Sequence, residues 1–307
     1  MKVLITGVAG FIGSNLAKTH LDQGDEVYGV DNLGTGQMRN IDQLEGLNFI
    51  NSSVSESIDS LPKKVDVVYH FASPASPEKY MAQALNTMEV NTTGTLKLLE
   101  YASSNGARLI FASTSEIYGD PLLSPQQESY WGNVNPIGPR SVYDEAKRFG
   151  ETLVAHFQRE KLANAGIVRI FNTYGPNMDP YDGRVVSNFI RQALQAKPLT
   201  IYGSGEQTRS FCYIDDLVRG IVAMGLSSQT GPINLGNPEE RTLLNLAELV
   251  LDITKSTSEL EFLELPEDDP KQRCPDITQA KSLLGWEPRV GISIGIQSTA
   301  DWIRKNI

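Results

Sequence analysis

The sequence predicts an α/β fold, a doubly wound parallel sheet with a smaller C-terminal α/β lobe. Three observations predict it. Short β-rich apolar runs alternate with helically spaced segments through the first half of the chain. A glycine-rich turn separates the first such run from the first helix, and beyond Asn172 the elements shorten and are punctuated by Gly, Pro and Asn. In order, residues 2–6 read as a strand that breaks at Gly7, 11–23 as a helix and 26–30 as the second strand. Residues 65–69 and 108–112 read as buried strands with a long helical pattern from about 77 to 104 between them. A helix over 141–162 and a strand over 166–171 complete the first unit. Then follow a helix near 185–196, a strand at 199–202, helices near 216–226, 243–254 and 276–284, and a closing helix. The expected division is a dinucleotide lobe over 1–173, rejoined by a segment at about 213–236, and a substrate lobe over 174–307.

Composition narrows the function. At 307 residues the chain suits two lobes or one large α/β unit, and 40% hydrophobic with 21% charged residues is ordinary for a globular protein. The formal net charge of −10, with basic residues dispersed, argues against a nucleic-acid partner, which needs a basic stripe. No apolar run of about 18 residues suggests a membrane span. The first residues already read as a strand and leave no room for a signal peptide, so the expected location is the cytoplasm. Cys212 and Cys274 lack CxxC spacing and read as small apolar fillers or part-exposed thiols. His20, His70 and His156 lie too far apart to suggest a metal site.

Two motifs carry chemistry. Gly7-Val-Ala-Gly10-Phe11-Ile12-Gly13 joins the first strand to the first helix, and its glycines let the backbone turn tightly and approach a pyrophosphate at the positive end of that helix. Asp31 ends the second strand 18 residues after Gly13, where a carboxylate accepts hydrogen bonds from ribose hydroxyls. Strand, loop, helix and acid together indicate a Rossmann-type dinucleotide site. A carboxylate at 31 repels a 2′-phosphate, so NAD is expected over NADP. The second motif is Tyr143-Asp-Glu-Ala-Lys147, whose ends share one helix face. An ammonium beside a phenol favours the phenolate and lowers a pKa that is ordinarily about 10, so the tyrosine can take a proton from an alcohol. The spacing alone also fits an exposed helical pair, and its surroundings decide.

The GxxGxxG loop, Asp31-Asn32 and the Tyr143/Lys147 pair resemble the extended short-chain dehydrogenase/reductase superfamily, whose members often act on nucleotide sugars. The resemblance implies that Thr114, at the end of the 108–112 strand, hydrogen-bonds the reacting oxygen. It also adds Thr35, Gly36, Val54, Phe71, Ala72 and Ser73 to the NAD-binding set. Members that dehydrate carry Asp-Glu after the threonine, whereas Thr114-Ser115-Glu116 lacks the first acid. Further blocks are similar to the UDP-glucuronate decarboxylases: His70-Phe-Ala-Ser-Pro-Ala-Ser-Pro77, Tyr130-Trp-Gly-Asn-Val-Asn-Pro-Ile-Gly-Pro-Arg140, Arg169-Ile-Phe-Asn-Thr-Tyr-Gly-Pro176 and Tyr202-Gly-Ser-Gly-Glu-Gln-Thr-Arg209. Asp182-Gly-Arg-Val-Val-Ser-Asn-Phe189 and Asp268-Asp-Pro-Lys-Gln-Arg273 extend the match over nearly the whole chain.

That resemblance implies oxidation of a UDP-sugar at C4 by bound NAD, loss of CO2 from C5, and re-reduction. Tyr143 is the base, Lys147 lowers its pKa, and Thr114 and Ser115 adjoin it, with Glu116 and Arg273 around C5. Two alternatives stay open: Glu116 as a turn cap, and Arg273 paired with Asp268 or Asp269. Asn172, Arg184, Val185, Arg209 and Arg273 are implied in substrate binding, with Tyr202 either on the uracil or in the core. A homodimer built on the helices near 77–104 and 141–162 is expected. The chain departs from relatives at Ser53-Val54, where they carry Asp-Val, along 55–61, and at Glu89-Val90, where they carry Lys-Thr. The competing functions are a nucleotide-sugar 4-epimerase and a non-catalytic dinucleotide-binding sensor.

Overall fold

A computed structural model describes residues 1–264 and 272–307. Seven parallel strands form the main sheet in the order Ile233–Leu235, Asn164–Ile170, Arg108–Thr114, Val67–His70, Lys2–Thr6, Glu26–Asp31 and Leu47–Asn51. The chain starts at Lys2–Thr6, winds outward through two strands, and then returns to the other side of its first strand at Val67–His70. The strand order therefore reverses beside Gly7, which is where open α/β sheets bind ligands.

Period-two burial explains why both faces are covered. Val3 and Ile5 face a core shared with Leu16 of helix Phe11–Asp22 and with Leu217 and Ile221 of helix Ile214–Leu226. Leu4 faces the opposite core, with Leu98 and Leu99 of helix Thr95–Asn105 and Val154 and Phe157 of helix Ser141–Arg159. The segment after the second lobe begins thus crosses back, since Ile233–Leu235 pairs in parallel with Asn164–Ile170.

The expected helix over 77–104 is broken. Pro77–Ala82 ends at Gln83, which holds φ −119° and ψ 42°; Ala84–Glu89 follows, then a π turn at Val90–Gly94 and the helix Thr95–Asn105. Side chains make the interruption: Asn91 Nδ2 donates to the Thr87 carbonyl at 2.8 Å and Thr95 Oγ1 to the Asn91 carbonyl at 2.8 Å, competing with the regular ladder. Several strand ends also move by one or two residues, among them those of Glu26–Asp31 and Asn164–Ile170. The strand expected at 65 begins at Val67, and the one expected to stop at 112 continues through Thr114.

The smaller lobe contains two-stranded pairs, Leu199–Tyr202 with Leu260–Leu263 and Thr208–Ser210 with Glu240–Thr242. Helices Val185–Leu194, Leu243–Thr254 and Ile292–Asn306 pack around them. Cys212 and Cys274 are both free and buried, in keeping with the filler reading.

Candidate active site

The site begins at the strand-order reversal. Gly7 holds φ +74°, and a Cβ there would stand 2.7 Å from both the Phe71 carbonyl oxygen and the Ala72 nitrogen. Gly13 is tighter: its Cβ would lie 2.1 Å from the Gly7 carbonyl oxygen. Only glycine lets the three backbone segments meet here. Asp31 is buried at the next strand end, where Oδ2 accepts the Ala9 N–H at 3.0 Å and Oδ1 the Leu33 N–H at 2.8 Å. Burial raises its carboxyl and these two bonds oppose the rise. A glycine cradle opening a helix, with a fixed carboxylate at the following strand end, fits a dinucleotide: backbone for the pyrophosphate, Asp31 for the ribose.

Tyr143 and Lys147 occupy the first two turns of helix Ser141–Arg159, both buried. Lys147 Nζ donates to the Ala112 carbonyl at 2.7 Å and stands 5.7 Å from the centre of the Tyr143 ring. The net shift of the tyrosine runs upward, against the expected lowering. Burial pushes the Tyr143 phenol up and the Glu116 charge adds to this. A hydrogen bond shared with Thr114 and the charge of Arg184 pull the other way without reversing it. Burial also drives the Lys147 amine down to about 7, with Glu151 opposing. Thr114 ends its strand, and its hydroxyl accepts the Glu116 N–H at 3.2 Å, so the turn-capping contact and the contact with Tyr143 coexist.

Glu116 does not cap that turn with its carboxylate. Arg273 forks onto both carboxylate oxygens, and Arg140 Nη2 reaches Oε2 at 2.7 Å. Burial alone would raise this carboxyl, but the guanidiniums of Arg273 and Arg140 outweigh it and hold it below the usual carboxylate range. Arg273 Nη1 also donates to Ser115 Oγ at 3.4 Å. The alternative partners Asp268 and Asp269 lie outside the described residues.

A cavity of about 730 Å3 joins these parts. All six residues expected in catalysis line it, as do Asn172 after the strand Asn164–Ile170, Arg184, Val185, Tyr202 and Arg209 from the smaller lobe and Gly7, Gly10, Phe11, Ile12, Gly13 and Phe71 from the dinucleotide side. Asp31, Asn32, Val54 and Ala72 line a second cavity of about 60 Å3 that shares Thr35 and Ser73 with the first. Gly36 lines neither cavity; a Cβ there would stand 2.9 Å from both Asp31 carboxylate oxygens. Tyr202 is 42% exposed, which removes the core-tyrosine alternative.

Sequence reasoning missed two neighbours. Arg140 closes a recognised block three residues before Tyr143, and that spacing on the helix was its only signal. Tyr80 stacks on Tyr143 with ring centres 4.9 Å apart and planes 4° from parallel, a contact between distant segments that no local pattern announces.

Comparison with known proteins agrees with this geometry. Residues 3–236 match the model of the NAD dependent epimerase/dehydratase family. The chain belongs to that family. This family member is 49% identical to UDP-glucuronic acid decarboxylase 1 of Xenopus tropicalis over 309 aligned residues, covering all of this chain and 73% of the relative. It is also 49% identical to UDP-glucuronic acid decarboxylase 6 of Arabidopsis thaliana, over 96% of this chain and 87% of the relative. Among solved structures, UDP-glucose 4-epimerase of Thermotoga maritima with UDP-glucose superposes with a TM-score of 0.92 at 30% identity, covering 100% of this chain and 99% of that one. UDP-glucuronic acid 4-epimerase of Bacillus cereus with UDP-glucuronic acid and NAD gives 0.89 at 31% identity, covering 100% of both chains.

Proposed function

We propose that this chain is an NAD-dependent carboxy-lyase that converts UDP-glucuronate to UDP-xylose. The observation that carries the reading is the Arg273–Glu116–Arg140 cluster, set in the same cavity as Tyr143 and Thr114. Relatives named as UDP-glucuronic acid decarboxylases match along the full chain and support it.

Tyr143 Oη removes the C4 hydroxyl proton while Thr114 Oγ1 orients that oxygen, and the positive charge of Lys147 favours the phenolate. Bound NAD supplies the hydride acceptor and donor at C4. The resulting C4 ketone is β to the C5 carboxylate, so the electrons of the breaking C–CO2 bond pass into an enolate whose oxygen Thr114 and Tyr143 hold. Arg273 orients the departing carboxylate beside Glu116, C5 takes a proton from solvent as the enolate returns to the ketone, and Tyr143 returns its own proton to O4 as the ketone is reduced. Arg184, Arg209 and Asn172 meet the diphosphate side, and Tyr202 lies against the uracil.

Ser115 stands where dehydrating relatives hold an acid, which leaves no group there to protonate a departing hydroxyl. The resemblance to a UDP-glucuronic acid 4-epimerase gives the second reading, turnover of the C4 ketone without loss of carbon. Incubating purified protein with UDP-glucuronate labelled with 13C at C6 tests the choice. Labelled CO2 is expected; its absence, with all label retained in the nucleotide sugar, overturns decarboxylation.

The assembly is a homodimer in this reading. Leu85 and Phe149 are exposed by 80% and 50% on the two contacting helices Ala84–Glu89 and Ser141–Arg159. Such an apolar face suits a second copy. A cytoplasmic setting is supported by two buried cysteines that remain unpaired. Among the described residues, no helix is long and apolar enough to cross a membrane.

A further inference from the structure

Ser76 has a hydroxyl with no use inside the protein. It precedes helix Pro77–Ala82 in the position from which a serine ordinarily accepts a backbone N–H of the first turn, yet its side chain makes no such bond. Elsewhere in the same chain that bond is made: Ser53 accepts the Glu56 N–H at 3.3 Å and Thr242 the Asn245 N–H at 3.1 Å. Ser76 is 1% exposed, its Oγ meets no hydrogen-bond partner, and the residue lines the large cavity. An unsatisfied buried hydroxyl is unfavourable, so a position that keeps one calls for a partner that arrives from elsewhere.

Its placement says which partner. The Ser76 carbonyl accepts the Tyr80 N–H at 2.9 Å, and the Tyr80 ring stacks flat on Tyr143. Ser76 is therefore fixed one helical turn from the ring that backs the catalytic phenol. It lies far in sequence from the smaller-lobe residues Arg184, Tyr202 and Arg209 that meet the nucleotide in the proposed reading. We propose that Ser76 is a specificity-determining residue whose hydroxyl, turned about Cα–Cβ, hydrogen-bonds a hydroxyl of the sugar ring and holds that ring against Tyr143. The inference rests on the UDP-sugar reading above and adds to it a residue that reads the sugar rather than the nucleotide.

Calorimetry in a Tyr143→Phe background, which keeps the stacked ring but cannot turn over, separates the two parts of the ligand. Ser76→Ala is expected to weaken UDP-glucuronate binding about fivefold, the size of one neutral hydrogen bond, while leaving UDP binding and NAD retention unchanged. Ser76→Thr, which keeps the hydroxyl, is expected to stay within twofold of the Ser76 protein. Equal effects on UDP and UDP-glucuronate, no effect on either, or loss of NAD would each overturn the proposal. So would a lowered melting temperature with unchanged UDP-glucuronate affinity, which would return the serine to a helix-capping role. The two claims fail separately. Absence of CO2 release by the unmodified protein defeats the decarboxylase reading, while the Ser76 comparison still applies to any UDP-sugar that the Tyr143→Phe protein binds.

Discussion

Burial raises the phenol of Tyr143, so its ionisation depends on the few groups able to favour the charged form, the Thr114 hydroxyl and the charge of Arg184. Removing the hydroxyl should therefore remove the reaction. Tyr143→Phe is expected to lower kcat by roughly 10²–10⁴-fold, measured as product formed per bound NAD. Arg273→Ala should spare NAD retention but slow release of CO2 by a similar order; an unchanged rate would reduce the residue to an ion-pair role. Its partner is also a stability determinant. The Glu116 carboxyl is held below its ordinary 4.5, so the folded state binds fewer protons than the unfolded chain below that value. Its contribution is complete above about 4.5 and is lost as pH falls through the lower folded value. Glu116→Gln leaves two guanidiniums without that carboxylate and is expected to cost about 3–5 kcal/mol in denaturant unfolding at neutral pH, a deficit that shrinks on acidification. At this scale the sequence was informative about residue types and spacing. It showed that Tyr143 and Lys147 share a face, but the direction of the tyrosine shift depends on burial, which only the packed structure reveals.

The elements place these side chains by close backbone approach. Gly13 has no room for a side chain, because the obstructing atom is a carbonyl oxygen of the glycine loop itself. Gly13→Ala is expected to destabilise the protein by about 3 kcal/mol or more and to abolish bound dinucleotide, seen as loss of the cofactor from the purified protein. Gly10 is a milder case, since its Cβ would stand 3.1 Å from the Gly7 carbonyl oxygen. Five of the seven main-sheet strands and most helices were legible because two-residue and 3.6-residue periods survive in the apolar pattern, whereas Leu47–Asn51 and Ile233–Leu235 were not among the expected strands. The stretch from Pro77 to Asn105 was not legible either. Its apolar spacing is helical throughout, while the π turn at Val90–Gly94 coincides with Asn91 and Thr95 side chains bonding to nearby carbonyls and a second break falls at Gln83. That π turn also adjoins Gly150, where a Cβ would stand 3.0 Å from the Asn91 carbonyl oxygen, so the turn packs closely on helix Ser141–Arg159.

Over the whole molecule, the cavity exists because the chain leaves the main sheet after Asn164–Ile170 and builds the smaller lobe. It returns through Ile214–Leu226 and Ile233–Leu235 before Arg273 reaches Glu116. Motif order along the chain made the oxidation centre and the carbons around C5 readable together. Contacts such as Tyr80 on Tyr143 and Arg140 on Glu116 were not readable, because they depend on how separate segments are docked. The proposed dimer is testable at the same scale: Leu85→Glu with Phe149→Glu should shift the species seen by sedimentation from dimer to monomer, and a species unchanged from wild type, or a wild-type monomer, would remove that interface. The most direct measurement of the central claim is the mass of the nucleotide sugar recovered after the purified holoenzyme acts on UDP-glucuronate, together with the redox state of its NAD. The expected product is lighter by one CO2 and is a UDP-pentose, with the cofactor still oxidised. A product of unchanged mass, or one that has lost water instead, would contradict the account.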